Sequence, residues 1–144
     1  FDAIVLSLAG VQMLNLNKEV KEVFNIDQML PAIGQGAIAM QCKEDDKETL
    51  NILKLANDKE TYFCIQAERA LLEAIGGDCD TAIGGLAQLS KGKIFLRSEL
   101  FSNDGKKKFE SYSSGEFKEA KEIGYKVGKE LLKKAGTEFT TQGN

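Results

Sequence analysis

Three cysteines, Cys42, Cys64 and Cys79, are the thiols of this 144-residue chain, and histidine is absent. Without imidazole, Cys–His and Ser–His nucleophile pairs, histidine metal sites and imidazole proton transfer are excluded. Cys79 stands out by its surroundings, Ala74-Ile75-Gly76-Gly77-Asp78-Cys79-Asp80-Thr81-Ala82-Ile83-Gly84-Gly85. The four glycines there loosen the backbone and let it approach a ligand closely. Asp78 and Asp80 flank the sulfur, and neighbouring negative charge raises a thiol pKa instead of lowering it. That disfavours an activated thiolate of the protease or redox kind. The same carboxylates stabilise a cationic electrophile arriving at sulfur, so a thioether with a carbocation-like partner suits the site better than acyl transfer. An inert loop cysteine is the bland alternative, and on composition alone it is the favourite.

A second place of interest follows Pro31, the single proline. In Ala32-Ile33-Gly34-Gln35-Gly36-Ala37 the glycines around Gln35 let backbone amides come close to a ligand, although ordinary tight turns use G-x-G just as often. Cys64 lies among apolar residues and is expected to be core filler. An odd cysteine count without a C-x-x-C pair argues against a disulfide framework or zinc site and for a reducing compartment, hence a cytoplasmic location.

With 42% hydrophobic and 28% charged residues the chain can bury a core. A net charge of −3 gives no general attraction to nucleic acid or anionic membranes. No apolar run approaches the roughly 20 residues that cross a bilayer. The first residue is Phe1, inside an apolar run that reads as a strand already under way, so a piece of a longer chain is expected. Only two arginines occur, Arg69 and Arg97; bidentate gripping of a polyanionic ligand has to come from elsewhere.

The elements that must carry these residues are legible in outline. Asp2 to Leu8 suggests a buried strand, Ala9 to Leu16 a turn or short helix, and Asn17 to Asn25 a surface helix or loop. Ala32 to Cys42 suggests a strand entered through the glycine turn. Lys43 to Lys47 is a solvated charge run. Glu48 to Ala56 forms a short amphipathic helix, and Asp58 caps a second one. In that helix Phe63, Ala67, Ala70, Leu71 and Ala74 make one apolar stripe, with Glu68, Arg69 and Glu73 expected on the exposed side. Gly76-Gly77 ends it. Leu86 to Leu89 reads as a short strand, Ile94 to Phe101 alternates as a second, and Lys106 to Tyr112 returns as a third after Asn103-Asp104-Gly105. Ser113 with Glu116 suggests a capping box for a last helix, which Gly124 and Gly128 let lie close to the sheet. The fold class is α+β: a three-stranded antiparallel sheet with helices packed on one face, preceded by strand and helix segments belonging to other α/β domains.

Four segments together resemble one family. They are Asp2-Ala3-Ile4-Val5-Leu6 with Ala9-Gly10, Leu30-Pro31-Ala32-Ile33-Gly34-Gln35-Gly36-Ala37, Ala67-Glu68-Arg69-Ala70, and Gly77-Asp78-Cys79 with Ile83-Gly84. In order and spacing they resemble the C-terminal portion of porphobilinogen deaminase (hydroxymethylbilane synthase), over nearly the whole chain to about Gly136. The resemblance implies a three-domain transferase that condenses four porphobilinogens into linear hydroxymethylbilane, releasing ammonia at each step through an azafulvene-type cation. It also implies a dipyrromethane cofactor, held as a thioether on the cysteine matched by Cys79, and a cleft position for Gln35 with Gly36. The catalytic aspartate and the arginine cluster of the family have no counterpart in these residues. Residues 1–30 would close domain 2, residues 31–57 would return to domain 1, and residues 58–144 would be domain 3. The first 57 residues would then need partner strands from domains 1 and 2. The implied partners are porphobilinogen, the growing pyrrole chain and those domains, in a monomeric enzyme without nucleic-acid or membrane partners.

The chain departs from the family pattern at three places. Met13 stands where an arginine usually helps bind a substrate carboxylate, Asp78 replaces the second glycine of Gly-Gly-Cys, and Ala82 replaces a proline. The loss of one charge-assisted contact costs about 1.5–3 kcal/mol of substrate grip. The reading from a different class is a non-catalytic ligand-binding or regulatory α+β domain whose loop cysteine is inert.

Overall fold

The alternation of Ile94, Leu96, Ser98 and Leu100 with Phe95, Arg97, Glu99 and Phe101 gives one strand two unlike faces. The C-terminal half of the chain is arranged to cover the apolar one. A computed structural model describes residues 1–77 and 81–136. In it β1 (Ile83–Ser90), β2 (Lys93–Phe101) and β3 (Lys108–Glu116) form an antiparallel sheet with β2 in the middle. The register places Leu86, Arg97 and Tyr112 side by side on the outer face. A two-residue turn joins β1 to β2, with Lys91 and Gly92 both at positive φ (50° and 77°), as a type I′ hairpin requires.

Four α-helices accompany the sheet: α1 (Leu8–Met13), α2 (Lys47–Ala56), α3 (Lys59–Ile75) and α4 (Ala120–Ala135). Asp58 caps α3, its carboxylate accepting the Thr61 N–H at 2.7 Å, and Asp46 does the same for α2 at Thr49. Helices α3 and α4 both lie on the inner face of the sheet, and Leu71, Ile94, Leu96, Leu100, Val127 and Leu131 are fully buried between them. Each such side chain contributes roughly 1.5–3 kcal/mol of burial free energy. The α+β architecture expected for this region is the one observed.

Several details differ from the sequence reading. β1 begins at Ile83, so Gly84 and Gly85 belong to a strand and not to the loop. β3 runs on to Glu116 because β2 offers it partners as far as Lys93. Ser113 therefore sits in the ladder, and the capping box is formed by Glu116 and Glu119 around a short 3-10 turn, Phe117–Glu119. Gly124 and Gly128 face α3, not the sheet. A methyl group on Gly128 would lie 2.6 Å from the Ala74 Cβ and 2.9 Å from the Leu71 carbonyl oxygen. Gly–Ala contact thus lets two helices approach each other more closely than larger side chains allow.

The runs Asp2–Leu8 and Ala32–Cys42 do not form strands. Ile4, Val5, Leu6 and Ile38 are exposed, between 64% and 92%. A strand exists only where a neighbour takes its backbone hydrogen bonds, and no described residue pairs with these runs. None of the described helices is long and apolar enough to cross a membrane.

Candidate functional site

The Gln35 turn is where the irregular N-terminal half meets the folded C-terminal half. Gly34 and Gly36 adopt φ of 74° and 86°, with Gln35 N–H donating to Ala32 O at 3.0 Å and Ala37 N–H to Gly34 O at 3.3 Å. Such φ values exclude side chains with a β-carbon at little strain, which explains the glycines on both sides of Gln35. A β-carbon at either position would have nothing within 4 Å, so the turn is open in those two directions.

The segment leading into the turn is strapped along the free edge of β1. Gly85 N–H donates to Pro31 O at 2.9 Å. Ala87 N–H donates to the Glu68 carboxylate at 2.9 Å. These two amides are alternate residues of one strand, one met by a main-chain carbonyl and the other by a side chain. Gly85 leaves room for Ile33 on this edge, since a β-carbon there would lie 2.5 Å from Ile33 Cδ1 and the isoleucine would have to move. At the outer face, Arg97 reaches Asp27 at 2.8 Å and Glu99 at 3.5 Å.

Glu68 corrects the sequence reading. It was expected on the exposed side of α3 and is 4% exposed. One carboxylate oxygen accepts Ala87 N–H and the other accepts Gly34 N–H at 2.8 Å. Burial raises its pKa, and the two amide donors only partly offset that. A signal for this was present: Glu68 follows Cys64 by one helical repeat and sits between stripe members Ala67 and Leu71. Arg69 and Glu73 are exposed as expected. Cys64, taken as core filler, is half-buried and packs against the core. Its thiol pKa is raised by desolvation and by the nearby Glu68 charge.

Gln35 borders two cavities. One, of about 380 Å³, is lined also by Gly36, Thr61, Cys64 and Glu68. The other, of about 650 Å³, is lined by apolar residues of the N-terminal half, among them Val5, Leu6, Phe24 and Leu30. Both volumes lie in the range of small-molecule sites. Met13, in the place of the family arginine, is the exposed last residue of α1.

The attachment candidate Cys79, with Asp78 and Asp80, lies outside the described residues. The approach to it is well defined. Helix α3 closes with Gly76 in the left-handed region, Gly76 N–H donating to Glu73 O at 3.0 Å and Gly77 N–H to Leu72 O at 3.1 Å. A β-carbon on Gly77 would lie 2.8 Å from Leu72 Cδ1 and 2.9 Å from Thr81 Oγ1, so the loop leaves the helix from a crowded point.

Comparison with known proteins gives one answer for both halves of the chain. Residues 62–133 match the family model described as porphobilinogen deaminase, C-terminal domain. Residues 1–51 match the one described as porphobilinogen deaminase, dipyromethane cofactor binding domain. Gln35 and Gly36 fall in the second match and Cys79 in the first, so the match whose description carries the cofactor is not the one that contains the candidate thiol. A porphobilinogen deaminase of Coxiella burnetii (strain CbuG_Q212) is 39% identical over 136 residues, 94% of this chain and 44% of that protein. Porphobilinogen deaminases of Chlorobium phaeobacteroides (strain BS1) and Syntrophomonas wolfei are 36% and 34% identical. The chain spans less than half the length of these curated relatives. With family matches on both sides of Asp58, and relatives aligned along nearly all of its length, the chain belongs to the porphobilinogen deaminase family.

Proposed function

We propose that these 144 residues are the carboxy-terminal part of a hydroxymethylbilane synthase. That enzyme condenses four porphobilinogens into linear hydroxymethylbilane with release of ammonia, primed by a dipyrromethane thioether-linked to Cys79. The observation that carries the reading is the pair of family matches, which together take in Gln35, Gly36 and Cys79. The geometry described above is compatible with the group. The turn has open space where β-carbons at Gly34 and Gly36 would project, and Gln35 is exposed beside a groove of about 380 Å³.

When bound, dipyrromethane supplies the free pyrrole carbon to which successive units add. The chain's own residues would anchor and orient it. The Cys79 sulfur holds the group covalently, and the Asp78 and Asp80 carboxylates favour arrival of a cationic pyrrole at that sulfur. The Gln35 carboxamide carries both donors and an acceptor, so it can meet pyrrole N–H groups as well as carboxylate arms. Residues 1–30 are assigned to the end of domain 2, residues 31–57 to domain 1 and residues 58–144 to domain 3. The catalytic aspartate and the arginine cluster belong to the remaining parts of domains 1 and 2, and these residues alone are inactive. The family resemblance implies a monomer, and an odd cysteine count without a C-x-x-C pair favours a reducing compartment such as the cytoplasm.

The test is intact-mass measurement of the full-length enzyme and of its Cys79→Ser variant after exposure to porphobilinogen, with the Ehrlich reaction for pyrroles. A dipyrromethane adduct and colour in the wild type, both missing from the variant, are expected. Wild-type protein with neither adduct nor colour leaves the non-catalytic ligand-binding domain as the better reading.

A further inference from the structure

Glu68 is the one buried carboxylate of α3, and it touches two segments that are far apart in sequence. Gly34 lies 34 residues before it and Ala87 lies 19 residues after it. We infer that Glu68 is a positioning residue for Gln35: by accepting Gly34 N–H and Ala87 N–H on its two oxygens, it fixes the turn to α3 and β1. The inference rests on the proposed reading that Gln35 faces the pyrrole chain.

Three observations support a positioning role over simple filling of the β1 edge. First, an edge amide needs one acceptor, and the neutral Pro31 carbonyl serves for Gly85. Glu68 brings a charge into a 4% exposed position, at a desolvation cost that one amide does not require. Second, only a carboxylate offers an acceptor on both branches. A glutamine there would turn an NH2 group toward one of the two N–H donors. Third, Glu68 sits on the helix that runs into the Cys79 loop through Gly76 and Gly77. A turn fastened to that helix is tied to the core of the C-terminal half, and a turn fastened only to its own segment is not. The remaining fastenings to β1, Gly85 to Pro31 and Ile33 against Gly85, hold the strap before the turn, and Glu68 is the side chain that ties the turn itself, at Gly34, to α3.

A double-mutant cycle in the full-length holoenzyme tests this, with Glu68→Gln, Gln35→Ala and the double variant assayed for kcat and KM with porphobilinogen. Hydrogen exchange of the Gly34 and Ala87 amides is followed in parallel. Glu68→Gln is expected to raise KM about tenfold and to speed exchange at Gly34. In the Gln35→Ala background the same substitution is expected to change KM less than about twofold, because its effect passes through Gln35. Full additivity, with Gln35→Ala itself impaired, overturns the inference and leaves the reading of Gln35 standing. A Gln35→Ala enzyme with unchanged kinetics overturns the reading of Gln35 and the inference with it. Should Glu68→Gln give no folded protein, Glu68→Asp keeps the charge but withdraws it by one methylene, and the same cycle and outcomes apply.

Discussion

The seam between α3 and α4 makes the sharpest quantitative demand on the sequence. Replacing glycine by alanine inside a helix ordinarily stabilises it by about 1 kcal/mol, because glycine has more backbone freedom to lose. At Gly124 the sign should reverse. A methyl group there would lie 2.8 Å from the Ala70 Cβ and 2.9 Å from the Leu71 nitrogen, and closer still to the Ala67 carbonyl oxygen. Two of those three atoms are backbone, so no side-chain rotation relieves the contact. The helices must separate, and a gap of roughly half an ångström to an ångström forfeits a quarter to a half of each dispersion contact along the seam. The cost belongs at the top of the overpacking range, about 3 kcal/mol. Set against the propensity gain, Gly124→Ala should destabilise by about 2 kcal/mol, close to a 30-fold loss in the folding equilibrium. Lys129→Ala, at an exposed position of the same helix, is the control. Urea unfolding followed by circular dichroism measures both, with the slope confirming that compactness is unchanged. A Gly124→Ala protein as stable as its parent would refute the close-packing argument.

Two further outcomes follow from the charges and thiols. The Asp58 carboxyl is held below its usual 3.8 chiefly by the Thr61 N–H, so its stabilising contribution is present above that value and is lost as pH falls through the folded pKa. Asp58→Ala should therefore lower the melting temperature near neutrality, with the two proteins converging at about pH 2; a constant gap between them would contradict the capping role. The Cys64 thiol, raised by desolvation and by Glu68, should react with iodoacetamide at about pH 8 more slowly than a free thiol such as glutathione, until denaturant is added. Peptide mapping of the labelled protein reads this out, and equal rates in native buffer would contradict the half-buried placement of the thiol.

The meander and the two long helices were legible because their signals are local: alternation in 94–101, the apolar stripe of α3, and the capping and turn residues Asp58, Gly76 and Gly92. What sequence reasoning missed depends on partners remote in the chain. Asp2–Leu8 has the composition of a strand, but composition does not supply a neighbour. Glu68 looked like surface decoration because its two amide donors come from residues 34 and 87. Gly124 and Gly128 were recognised as close-approach positions, yet the approaching surface proved to be α3, since a periodic stripe does not say which element it meets. Within the candidate site, the Gln35 turn could be placed from its glycines, whereas its fastening to α3 could not.

The strapped edge of β1 has a consequence for how the sheet meets other chains. An unpaired strand edge is a template on which a foreign strand can add, and here one side of the template is already taken by Pro31 and Glu68. Among the described residues no main-chain segment caps β3 in the same way. Sheet growth, whether in recruitment of a partner or in aggregation of a damaged molecule, is therefore easier on the β3 side, where the Lys134 ammonium reaches the Glu110 carbonyl. Lys106, Lys107 and Lys108 stand at the entrance to that side, Lys106 paired with Asp104 and Lys108 with Glu99 and Glu110, so a chain adding there must first displace ion pairs.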